Sequence, residues 1–291
     1  MALASAPAWS QDVPSQQATT EAEEPATAAG QAVQYREQTY LVPVTLPHGH
    51  TAQLHARLCR PPGEAMARLV VINHGTPPNA ADRRKVPLGR CDQEAAQWFL
   101  RRGYVVAFAL RRGYGETGGI DEENFDQCQH ANFVRAGLES ALDIDAIVNA
   151  TTRFPFVLPA RVVVVGQSTG GWATLAYNAV PHPKVSAFIN MAGGRGGHHR
   201  GVANDNCQPG LLVESAKVFG RTATTPMLWI YTANDSFFGP RLAASLWHAF
   251  ASAGGQAEFD QLGPYGQDGH RLFFGKGGSE IWGPLVEHYL E

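Results

Sequence analysis

The sequence predicts an α/β fold, with a mostly parallel, twisted sheet of about eight strands and helices on both faces. Three observations carry this. Short apolar runs such as 162–165 and 227–231 alternate with longer segments of helical period. Glycine-rich loops at 113–119, 193–201 and 263–269 fall between the periodic segments, where turns belong. A chain of 291 residues that is 44% apolar is also long enough to bury an α/β core within one domain, expected over 33–291.

The elements follow in order. Strands 33–42 and 51–59 precede strand 68–73, which runs into Asn73-His74-Gly75-Thr76-Pro77. Helix 91–102 leads to strand 104–110, which opens onto the first glycine-rich loop. Helix 132–150 leads to strand 161–166, and helix 170–180 to strand 185–191. The stretch 192–222 is too short for a large lid. It is expected to be a loop with one short helix at 210–219, leaving a fairly open site. Strand 226–231 ends in Thr232-Ala233-Asn234-Asp235, followed by helix 239–253, strand 257–262, the third glycine-rich loop and an amphipathic helix at 280–290.

One pentapeptide carries most of the chemistry. Gly166-Gln167-Ser168-Thr169-Gly170 stands between an apolar strand and a helix. This is the context in which a G-x-S-x-G turn lifts a serine hydroxyl out of a sheet. A nucleophilic serine needs a base, and the base needs an orienting acid. Asp235, just past a strand end, is the candidate acid. Asp205 lies too far past strand 185–191, and Asp260 falls inside a strand. His270, after the last strand and before the last helix, is the candidate base. His248 and His288 sit in helical patterns. The histidines before Ser168, and those between it and Asp235, fail the order serine, acid, histidine.

An oxyanion hole needs two inward backbone N–H groups. Thr169 supplies one, and Thr76, with Gly75 second, supplies the other, because Pro77 has none to give. Tyr114 and Phe238 are candidate substrate-binding residues. His198-His199 is poorly spaced to chelate one ion, so that segment reads as a loop on the rim of the site, and no metal site is expected.

These pieces resemble the α/β-hydrolase superfamily over about residues 33–291. Asn73-His74-Gly75 and Arg111-Arg112-Gly113-Tyr114-Gly115-Glu116-Thr117-Gly118-Gly119 look like its dienelactone-hydrolase-like and acyl-peptidase-like branch. Thr117 stands where that branch carries a serine. Dienelactone hydrolases proper are similar in fold but use a cysteine nucleophile, so the resemblance implies hydrolase chemistry and not dienelactone as substrate. It implies a serine hydrolase cleaving a small-molecule carboxylic ester through an acyl-enzyme, with no cofactor. The alternatives are a peptidase or amidase, or a non-catalytic binding protein on the same fold. Peptidases of the branch usually add a domain for which these 291 residues leave no room. A complete Ser, Asp, His and His-Gly set argues against a pure binding role.

A formal net charge of −3 without a basic stripe makes nucleic acid an unexpected partner, and no apolar run is long enough to span a bilayer. Nothing in the pattern sets the oligomeric state. Residues 1–32 hold no Lys or Arg and have a disordered composition, with an Ala6-x-Ala8 pattern like the tail of an export signal. An Ala-rich disordered terminus is the alternative. Four cysteines without C-x-x-C spacing fit two bridges in an oxidising compartment, periplasmic or secreted; buried reduced thiols in a cytoplasmic enzyme are the alternative. Cys128 and Cys207 leave the same sheet edge and are expected to pair; Cys59 and Cys91 then pair or stay free.

Overall fold

Eight strands form one sheet in the order β1-β2-β4-β3-β5-β6-β7-β8 in the computed structural model, which describes residues 1, 35–46 and 49–291. The expectations for 1–32, apart from Met1, and the first residues of strand 33–42 lie outside the described residues. The strands are β1 (Arg36–Thr45), β2 (Thr51–Arg60), β3 (Leu69–Asn73), β4 (Val105–Ala109), β5 (Val162–Gln167), β6 (Val185–Met191), β7 (Met227–Thr232) and β8 (Ala257–Leu262). The helices are α1 (Glu94–Arg101), α2 (Phe133–Thr151), α3 (Thr169–Asn178), α4 (Pro209–Gly220), α5 (Pro240–Ser252) and α6 (Gly278–Leu290). Strand β2 is antiparallel to both neighbours, and β3 to β8 run parallel.

The sheet separates two apolar layers by the two-residue period of its strands. Val162 and Val164 face one layer with Val71, Phe188 and Trp229, covered by Phe133, Trp172, Phe219 and Phe250 of α2 to α5. Val163 and Val165 face the other with Ile72, Phe108 and Ile230, covered by Trp98 and Phe99 of α1 and Trp282 of α6. Strands β3, β4 and β7 are buried throughout, the pattern of a parallel sheet covered on both faces. Among the described residues, no helix is long and apolar enough to cross a membrane.

Two disulfides close the structure, Cys59–Cys91 and Cys128–Cys207. The second joins the loop after β4 to the loop after β6. The first pins β2 to the segment before α1, a pairing the sequence left open. Short turns of 3-10 helix at Ala80–Lys85, Cys128–His130, His199–Gly201 and Gly269–Arg271 complete the loops. They are too brief for periodicity to reveal.

Candidate active site

The elbow forms because residues with minimal side chains stand where two backbones cross. A Cβ on Gly166 would lie 2.1 Å from the Gly170 carbonyl oxygen, and one on Gly170 would lie 2.4 Å from that of Asn73. With no Cβ at either position, β5 turns directly into α3 and leaves Ser168 at φ 58°, ψ −122°. This backbone conformation is costly for a non-glycine residue and persists only where its surroundings hold it. Here the Ser168 N–H donates to the Met191 carbonyl at 3.0 Å, and its own carbonyl accepts from Trp172 and Gly194 at 3.0 and 3.1 Å.

Asp235 follows β7 and is 1% exposed. Its Oδ1 accepts from the Phe237 and Phe238 N–H groups at 2.8 and 2.9 Å, so the loop itself orients the carboxylate. His270 Nδ1 lies 3.0 Å from Asp235 Oδ2. A carboxylate accepts only, so Nδ1 carries the proton and Nε2 is left as the basic nitrogen. Gln167 Nε2 donates to the His270 carbonyl at 2.9 Å, and Asp268 Oδ1 accepts the His270 N–H at 3.1 Å. Burial works to raise the Asp268 carboxyl, but hydrogen bonds from Ser236 and His270 outweigh it and hold the group below its ordinary range. Phe237 stacks on the His270 ring at 4.2 Å between centroids, and His198 stacks on the other face of Phe237 at 3.7 Å.

Ser168 and His270 line one cavity of about 460 Å³ together with His74, Thr76, Phe108 and Phe274. A second cavity of about 310 Å³ meets the first at Ser168, Thr76 and Phe237, and is walled by Phe238, Phe125, Arg195 and the Cys128–Cys207 bridge. The rival acid Asp205 is paired to Arg200 at 2.8 Å on the surface, Asp260 lies within β8, and His248 and His288 lie in α5 and α6. Among the described residues, neither the Thr76 nor the Thr169 N–H has a backbone acceptor in the loops and caps around the site.

Phe238 reaches a cavity wall, but Tyr114 does not. Positive φ at Gly113 and Gly115 folds Tyr114 inward, where it is fully buried and its hydroxyl bonds Glu123 and Thr76. Thr117, the departure from the Arg-Gly-x-Gly-x-Ser-x-Gly pattern, donates to the Leu110 carbonyl at 2.7 Å and accepts the His55 N–H at 2.9 Å, as a serine hydroxyl would. His198 belongs to the aromatic stack, and its Nε2 lies 2.9 Å from Ser236 Oγ.

Sequence reasoning missed a buried charge cluster behind Thr76 and Thr169. Glu123, 3% exposed, pairs with Arg111 Nε at 2.9 Å and Arg195 Nη2 at 2.9 Å, and also accepts from Ser140. Burial alone would raise the Glu123 carboxyl, yet the two guanidinium groups hold it well below the ordinary carboxylate range. Burial, then the Arg111 charge, lowers His74 to about 3. The neutral ring accepts the Arg111 N–H at Nε2 and directs Nδ1 to the Gly75 carbonyl at 2.8 Å. The only local trace was the Arg111-Arg112 pair, and nothing in the sequence tied it to Glu123.

Solved structures share this architecture. An acylaminoacyl peptidase of Pyrococcus horikoshii matches at TM-score 0.62 and 15% identity, over 89% of this chain and 41% of that one. A candidate dienelactone hydrolase of Klebsiella pneumoniae matches at TM-score 0.58 and 14% identity, over 88% and 98%. Acetyl xylan esterase 1 of a Thermoanaerobacterium species matches at 0.54 and 16%, over 89% and 86%. No protein-family profile and no curated protein sequence matches the chain. The fold is that of the α/β hydrolases. Within it, this chain is similar to structures named for peptidase and for esterase activity, and spans about two fifths of the peptidase.

Proposed function

We propose that the protein is a serine hydrolase that cleaves small-molecule carboxylic esters. The observation that carries this is the strained Ser168 elbow, opening into the same cavity as a histidine whose Nδ1 is committed to a buried aspartate. In this reading Ser168 Oγ attacks the ester carbonyl as His270 Nε2 takes its proton. Asp235 stabilises the imidazolium so formed, and the Thr76 and Thr169 N–H groups receive the oxyanion. His270 then protonates the departing alkoxide, and an incoming water, deprotonated by the same nitrogen, releases the acid. Two cavities meeting at Ser168 provide separate room for the acyl and alcohol portions. Phe238 lines the second. The two disulfides support a periplasmic or secreted site of action.

A panel of p-nitrophenyl esters of rising chain length, run beside peptide and lactone substrates, tests the reading. Ester turnover is expected to lead, and Ser168→Ala should lower it by about 10³-fold or more. A fluorophosphonate should label Ser168 alone. Faster peptide cleavage would replace esterase by amidase, and labelling elsewhere would remove Ser168 as nucleophile.

A further inference from the structure

We propose that Thr76, Thr169 and Tyr114 form a hydroxyl clamp that fixes the two oxyanion amides, with Arg111 and Glu123 closing it into a ring. The inference rests on the function proposed above and adds positioning residues to it. Donor and acceptor rules orient every link. Glu123, ionised between two guanidinium groups, accepts only, so the single Tyr114 proton goes to Glu123 Oε1. The Tyr114–Thr76 bond must then be donated by the Thr76 hydroxyl. That proton spent, the 2.8 Å bond between Thr76 Oγ1 and Thr169 Oγ1 must be donated by Thr169. The Thr169 oxygen in turn accepts from Arg111 Nη2 at 3.4 Å. Arg111 returns to Glu123 through Nε and Nη2 at 2.9 and 3.2 Å, closing the ring.

The ring does two things. It couples, through a 2.8 Å bond, the side chains of two residues from distant parts of the chain, one after β3 and one at the start of α3. It also draws both hydroxyls into the protein, so that they neither compete for the oxyanion nor satisfy the amides meant for it. Arg111 adds a third anchor, donating Nη1 to the His74 carbonyl at 2.8 Å. Every proton in the ring is committed, which makes the arrangement single-valued. A site that must hold donors to within a fraction of an ångström needs that property.

Tyr114→Phe and Thr76→Val each remove one link while keeping shape, and Thr76→Ser keeps the hydroxyl. Steady-state kinetics on the best p-nitrophenyl ester should show kcat falling about 10- to 100-fold in the first two variants, with KM within about twofold. Thr76→Ser should retain most of the rate. Combining Tyr114→Phe with Thr76→Val should lose no more than the worse single change, because both break the same ring. Backbone amide order parameters provide a readout that does not depend on turnover. Those of Thr76 and Thr169 should fall from about 0.85 toward 0.6 in Tyr114→Phe. Unchanged kcat, a loss confined to KM, or multiplying losses would overturn the clamp. If the wild type turns over no ester, the proposed function fails, and the order parameters still decide the clamp: unchanged values sink it.

Discussion

The two sides of Ser168 are built by different means. On the side of the proposed base, each hold has a main-chain group at one end: the Phe237 and Phe238 amides donate to Asp235, the His270 amide donates to Asp268, and the His270 carbonyl accepts from Gln167. On the side of the proposed oxyanion amides, the scaffold is a buried network of the side chains of Arg111, Glu123, Arg195 and Tyr114, with the His74 ring accepting from the Arg111 main-chain N–H. The difference fits what the proposed reaction would ask of each side. A base must change charge at every turnover, and main-chain dipoles with a stacked aromatic ring accommodate that without rearrangement. Oxyanion donors must not move at all, and a network of committed hydrogen bonds in a low-dielectric interior is stiff. That stiffness costs desolvation, so the oxyanion side should be the one that fails when an ion is removed.

The largest effect should come from opening the bridge on the oxyanion side. Cys128–Cys207 spans 79 residues and ties the loop bearing Glu123 to the loop bearing Arg195, whereas Cys59–Cys91 spans 32 and lines neither cavity at Ser168. On the chain-entropy model, replacing both members of the first pair by serine should lower the unfolding free energy by about 4–5 kcal/mol, and the second pair by about 3.5–4 kcal/mol. Urea melts measure both. Only the first variant is expected to raise KM, since only it loosens a wall of the cavities. Equal changes in KM would break the comparison.

What the sequence disclosed, and what it hid, divides along the same line. The base side is sequential chemistry: a serine in a pentapeptide, an acid at a strand end and a histidine before the last helix. Each is marked by the local pattern around it. The strands were legible for the same reason, because a run such as 162–165 is apolar on both faces when a parallel sheet is covered twice. Glu123 was illegible. Its neighbours Asp121 and Glu122 make the stretch look like a solvated acidic loop, while its partners lie 9, 12, 17 and 72 positions away. Tyr114 was misplaced for a related reason. A tyrosine in a glycine-rich loop beside the site reads as a pocket residue, and only the inward fold of the Gly113 and Gly115 turn sends its hydroxyl to Glu123.

The same substitution on each side sharpens the contrast. Glu123→Gln leaves Arg111 and Arg195 buried without their shared anion, and should destabilise by about 3–5 kcal/mol. Asp268→Asn, on the base side, retains an oxygen for the Ser236 and His270 amides and should cost about 1 kcal/mol or less. Thermal or urea unfolding of the two variants side by side decides it. Comparable losses would mean that both sides rely on buried charge to the same degree.

The last effect is a dependence on pH that His74, on the oxyanion side, should carry. His74 lines the cavity along one edge, but both ring nitrogens are engaged, and burial beside Arg111 lowers its pKa to about 3 from an ordinary 6.5. Between those values the unfolded chain binds a proton that the folded protein refuses, so stability rises with pH there. The contribution is fully present above pH 6.5 and is lost progressively as the pH falls toward 3. By pH 5, about one and a half units into that window, it should have weakened the fold by at most about 2 kcal/mol, less whatever solvent screening the cavity edge allows. Urea midpoints taken from pH 8 to pH 4.5 should therefore show a downward slope in the wild type that flattens by close to one proton in His74→Asn. Asparagine places its amide where Nδ1 stands and can still donate to the Gly75 carbonyl, so that bond of the loop is kept. An unaltered slope in that variant would mean that the folded protein protonates His74 as readily as the unfolded chain does. The contrast between the two sides would then rest on the ion cluster alone.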